Sequence, residues 1–128
     1  MGDEEKEIRT NRLVLQDKQG RARIILSGDD GSGPGVTIFN ENGIPRIELF
    51  IDHEGKPNIV LIDEDNACRG QVTMDDDGIK LRLIDEEQQF CSAVVVGWKG
   101  PKLVRYDPYG GRIYSQTLCE EVEDSKPV

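Results

Sequence analysis

The chain is predicted to be all-β, a meander of about ten antiparallel strands without substantial helix. Three observations carry this. A short motif recurs five times at a spacing of 22 to 23 residues, starting at Leu13, Val36, Ile59, Leu81 and Leu103. Each copy is an apolar run, an Asp or Asn, a turn and a second apolar run, the pattern of a β-hairpin. Between Leu13 and Leu118 no apolar side chains recur at a helical period of 3.6.

The first strands read Leu13-Val14-Leu15-Gln16, Val36-Thr37-Ile38-Phe39, Ile59-Val60-Leu61-Ile62, Leu81-Arg82-Leu83-Ile84 and Leu103-Val104-Arg105-Tyr106. Three turns follow as Asp17-Lys18-Gln19-Gly20, Asn40-Glu41-Asn42-Gly43 and Asp107-Pro108-Tyr109-Gly110. Asp or Asn can cap a type I turn with its side chain, and the fourth position is left-handed, which suits Gly. In Asp63-Glu64-Asp65-Asn66 the fourth residue is Asn, the next best choice. Asp85-Glu86-Glu87-Gln88 has lost the pattern. Reversals between copies are expected at Gly28–Gly35, His53–Pro57, Asp75–Gly78 and Gly97–Pro101, all glycine-bearing.

If Asn40 pairs with the residue after Gly43, Ile38 falls opposite Arg46 and Thr37 opposite Ile47. One face then collects Val14, Ile24, Leu26, Phe39, Ile47, Leu49, Val60 and Ile62 with their counterparts in later copies. The other face carries Leu13, Leu15, Val36, Ile38, Ile59, Leu61, Leu81, Leu83 and Leu103, alternating with polar second-strand residues such as Arg23, Arg46, Glu48, Arg69 and Gln71. First strands apolar on both sides need cover on both sides. Nine large aliphatics in water would exceed the apolar patch usual for a monomer. No helix is at hand, so the expected cover is another copy of the chain. The expected partner is therefore the chain itself, as a closed homo-oligomer with a trimer favoured.

Residues 8–118 read as one β-repeat domain, residues 1–7 as a flexible acidic start and residues 119–128 as an acidic disordered tail. The formal net charge of −9 disfavours nucleic acid and anionic membrane surfaces as partners. There is no apolar segment long enough for a helical span and no signal-peptide pattern, and three cysteines fit a reducing compartment, so a cytoplasmic location is expected.

Candidate chemistry is sparse. The acidic turns at Asp29-Asp30, Asp63-Glu64-Asp65 and Asp75-Asp76-Asp77 supply hard oxygen ligands but lack the spacing of a calcium loop, so no metal is expected. The glycine-rich stretch Gly28–Gly35 lacks the Lys and the following helix of a phosphate loop. His53, the one histidine, sits in a turn with no nominated nucleophile. Cys68 and Cys91 are expected on opposite faces as small hydrophobes. The series Arg23, Arg46, Arg69 is read as structural pairing rather than an acidic-ligand site. Trp98, Tyr106, Tyr109 and Tyr114 form a late aromatic cluster, a possible ligand surface or a cap for the array.

The segment Tyr106-Asp107-Pro108-Tyr109-Gly110-Gly111-Arg112 resembles the YD repeat of bacterial Rhs-type proteins. The wider Asp-x-x-Gly-x-x-Arg rhythm is similar to bacterial tandem β-hairpin repeat proteins of unknown function. Those resemblances imply strand–turn–strand arrays and no activity. The expectation is a non-catalytic, self-associating structural or protein-interaction protein, not an enzyme and without a cofactor. The alternative is a β-barrel binding an apolar small molecule.

Overall fold

The computed structural model describes residues 5–85, 91–97, 100–106 and 112–117, with side chains for 5–85, 92–97 and 100–105. Ten strands form one sheet: β1 (Arg12–Gln16), β2 (Ala22–Ser27), β3 (Gly35–Phe39), β4 (Pro45–Ile51), β5 (Pro57–Ile62), β6 (Cys68–Asp75), β7 (Gly78–Ile84), β8 (Cys91–Gly97), β9 (Gly100–Tyr106) and β10 (Arg112–Thr117). Their order in space is their order in sequence, each antiparallel to the next, as predicted. No helix occurs among the described residues, and none is long and apolar enough to cross a membrane. Among the described residues β1 pairs only with β2 and β10 only with β9, so the described sheet keeps two edges where a closed barrel would have none.

The turns follow the expected chemistry. Gly20 and Gly43 take φ of 82° and 79°, and Asn66 stands in for glycine at φ 64°. In each turn one carboxylate or amide oxygen accepts two backbone N–H groups. Asp17 Oδ1 takes those of Gln19 (2.9 Å) and Arg21 (3.0 Å), Asn40 Oδ1 those of Asn42 (2.9 Å) and Ile44 (3.0 Å), and Asp63 Oδ1 those of Asp65 (2.9 Å) and Ala67 (3.0 Å). A fourth turn is built identically where only a generic reversal was expected. Asp52 Oδ1 accepts the N–H groups of Glu54 and Lys56, both at 2.9 Å, with Gly55 at φ 82°.

The register expected beyond these turns is wrong by one residue. Phe39 does pair with Pro45, but Ile38 then pairs with Ile47 and Thr37 with Glu48, leaving Arg46 opposite nothing. Arg46 is the extra residue of a β-bulge, and one extra residue turns every following side chain to the other face. The same slip skips Arg23 in the first hairpin, Arg69 in the third and Ile113 in the fifth. The bulge stands six residues after the turn Asp or Asn in all four.

The predicted alternation of apolar and polar strands on one face is thereby overturned. Leu13, Leu26, Val36, Leu49, Ile59, Val72, Leu81, Val94 and Leu103 are cross-strand partners in one unbroken aliphatic row over nine strands. Beside it runs Leu15, Ile24, Ile38, Ile47, Leu61, Gly70 and Leu83, with Leu61 Cδ1 3.5 Å from where a Cβ on Gly70 would sit. The opposite face is mixed; one row reads Val14, Ile25, Thr37, Glu48, Val60, Gln71, Arg82, Ala93 and Val104.

Candidate functional site: the aliphatic face of the sheet

A bulge is also what anchors one repeat to the next. Freed from pairing, Arg23 Nε donates to the Phe39 carbonyl (3.0 Å), Arg46 Nε to Ile62 (2.6 Å) and Arg69 Nε to Ile84 (2.7 Å). Each acceptor is the residue just before the Asn or Asp that opens the next copy's turn. Arg23 and Arg69 also lie 3.7 and 3.5 Å from the carboxylates of Asp17 and Asp63, the Asp of their own hairpin. The arginine series is thus spent within the fold, which accounts for the Asp-x-x-Gly-x-x-Arg rhythm.

The acidic turns are occupied in the same way. At Asp63 the Ala67 N–H, then that of Asp65 and the Arg69 guanidinium, hold the carboxyl below its ordinary pKa against the opposing effect of desolvation. At Asp52 the Lys56 and Glu54 N–H groups lower it likewise. Asp29 Oδ1 accepts the N–H groups of Gly31 (2.8 Å) and Gly33 (3.0 Å), so the chain's own carboxylate fills the glycine-rich loop that an outside anion would need. Its carboxyl is lowered by those two bonds. Among the described residues no group of His, Cys, Asp and Glu side chains is placed to hold a metal ion.

His53 projects into solvent, 89% exposed, with Glu54 Oε1 at 4.0 Å. Cys68 is half-buried and its Sγ lies 3.6 Å from the Gly70 carbonyl. Its pairing with Ile62 and that of Cys91 with Ile84 give both cysteines register positions on the mixed face, two strands apart. Cys68 precedes the β6 bulge and keeps its expected partner; the departure from the expected opposite faces lies at Cys91, which pairs with Ile84 rather than Leu83. Of the aromatic cluster, Trp98 and Tyr109 lie outside the described residues. Tyr106 and Tyr114 occupy β9 and β10, with their side chains outside them.

What remains is the aliphatic face. All nine predicted interface residues, Leu13, Leu15, Val36, Ile38, Ile59, Leu61, Leu81, Leu83 and Leu103, have register positions on it, and the observed register adds Ile24, Leu26, Ile47, Leu49, Val72, Met74, Val94 and Val96. Among the described residues fourteen large apolar side chains are markedly exposed; twelve of them are on this face. The others are Ile8, ahead of β1, and Val14 on the mixed face. Leu61 and Leu83 near its middle are 51% and 52% exposed. The buried apolar residues among those described, Ala93 and Val104, are cross-strand partners on the mixed face.

The mixed face carries polar bonding instead. Asn58 Nδ2 donates to the Lys56 carbonyl (3.1 Å), Gln71 Nε2 to Asn58 Oδ1 (3.4 Å) and Arg82 Nη1 to Gln71 Oε1 (3.4 Å). The two faces therefore differ in kind: the aliphatic one is exposed, and the mixed one holds these polar bonds and the buried Asn58, Ala93 and Val104. At the β1–β5 end the aliphatic face deepens into an open groove of about 710 Å³ lined by Ile8, Leu13, Val36, Leu49, Ile51 and Ile59 among others. No family model and no curated protein matches the chain.

Proposed function

We propose that this is a non-catalytic structural or protein-interaction protein that works by self-association. In this reading the aliphatic face is covered by the same face of other copies in a closed homo-oligomer, three copies being favoured because three sheets can enclose a prism-shaped core. The observation that carries the reading is the one-sided exposure of twelve large apolar side chains. A sheet with one apolar face is stable only when a second layer covers that face, and among the described residues the chain supplies none. Burying the exposed parts of these side chains is worth on the order of 10 kcal/mol per protomer, comparable with the cost of association.

The groove supports a second reading, uptake of an apolar small molecule. Light scattering combined with an apolar fluorophore separates the two. Self-association gives a multimer that excludes the dye; a monomer that binds the dye replaces this proposal with the second.

A further inference from the structure

The edges of the sheet carry an inference that rests on the self-association just proposed and specifies how the copies join. β1 is exposed at all five residues. The Gly28 N–H donates to the Asn11 carbonyl at 2.9 Å, which fixes the phase of the ladder. By alternation Asn11, Leu13 and Leu15 turn their backbone groups toward β2, and Arg12 and Val14 turn theirs out of the sheet. The Thr10 hydroxyl donates to the Arg12 carbonyl (3.1 Å). The Val14 N–H and C=O have no partner among the described residues.

Native edges are normally guarded by Pro, Lys, an inward-pointing charge or a bulge of their own. Arg12-Leu13-Val14-Leu15-Gln16 has none of these in its middle, and the extra residue of its hairpin bulge lies on β2. The far edge is β10. In a meander of ten alternating strands β10 runs opposite to β1. A β10 edge laid against the β1 edge of a second copy therefore continues the antiparallel order and keeps both aliphatic faces on the same side. A two-fold β1–β1 joint would leave both β10 edges open, whereas a β1–β10 joint repeated around a ring leaves none. We infer that β1 of each copy pairs through its outward Arg12 and Val14 backbone groups with β10 of the next copy, so that the rings of sheet close edge to edge around the buried aliphatic faces.

The test uses the full chain. Residue-resolved amide exchange should show the Val14 N–H protected as strongly as Leu13 and Leu15, at least about 100-fold over a free amide. Val14→Pro removes that donor without touching the aliphatic face or an inward bond, and should reduce the solution mass. In a sample mixing labelled and unlabelled chains, intermolecular NOEs should link Val14 to residues 112–117. A multimer in which Val14 exchanges freely, or in which Val14→Pro keeps its mass, overturns the joint and leaves the face-to-face reading standing. Intermolecular NOEs from Val14 to Val14 overturn β10 as the partner. A monomeric wild-type chain overturns both.

Discussion

If the bulge arginines hold successive repeats together, Arg46→Met should destabilise the sheet although it removes no apolar contact. Methionine keeps the length of the stem and loses the donor. The lost bond, Nε to the Ile62 carbonyl at 2.6 Å, is short, charge-assisted and half-buried. Hydrogen bonds to charged groups contribute about 1.5–3 kcal/mol; partial exposure puts this one near the lower end, about 1.5–2 kcal/mol. For a domain of this size that is a fall in Tm of roughly 5–8 °C. The assay is thermal or urea unfolding at one fixed protomer concentration, because an oligomer's stability depends on it. Arg69→Met should lose more than Arg46→Met, since it also gives up Asp63 at 3.5 Å, whereas the turn residue ahead of Arg46 is the neutral Asn40. Equal stability of Arg46→Met and wild type, within about 0.5 kcal/mol, would refute the anchoring role.

Three further outcomes follow from the same geometry. Asn40→Asp gives Arg46 the carboxylate its counterparts have and should raise the midpoint at pH 7 but not at pH 3; a gain at both would point to another cause. Leu61→Glu, at the centre of the aliphatic face, should dissociate the oligomer, and unchanged mass and stability would show that this position is not covered. Asp29, Asp52, Asp63 and Asp75 all have folded-state pKa values below the ordinary 3.8. Their contribution is complete above that value and is lost as pH falls through the lowered ones, so Tm should hold from pH 7 to 5 and drop below about 4. A flat Tm down to pH 2.5 would mean that the turn caps act without their charge.

Much of this fold is legible in the sequence because its turns are chemical statements. Asp17, Asn40 and Asp63 each stand three residues before a Gly or Asn, and each caps its turn as that spacing requires. The same signal at Asp52-His53-Glu54-Gly55 is overlooked if a 23-residue period is allowed to define which turns count. The bulge is harder to see. Counting outward from a turn assumes a continuous ladder, and a single unpaired residue defeats the count. The clue lies in the side chains: Arg23, Arg46 and Arg69 recur at one offset, and only a slip past them brings Ile47 and Leu49 opposite Ile38 and Val36. Burial chooses the register in which like faces like. The nine first-strand aliphatics were identifiable as one face because period-two alternation within a strand survives any slip between strands. A slip of one residue between strands exchanges the faces of their second-strand neighbours, which a count from the turn therefore places on the wrong side.

If further copies of the chain keep its aliphatic face dry, the chain is a multimer in solution. The direct measurement is the solution mass of the wild-type chain by light scattering at micromolar concentration. The expected value is a discrete multiple of the 14.3 kDa protomer, with three copies at about 43 kDa. A stable, folded species of 14.3 kDa under those conditions would contradict it.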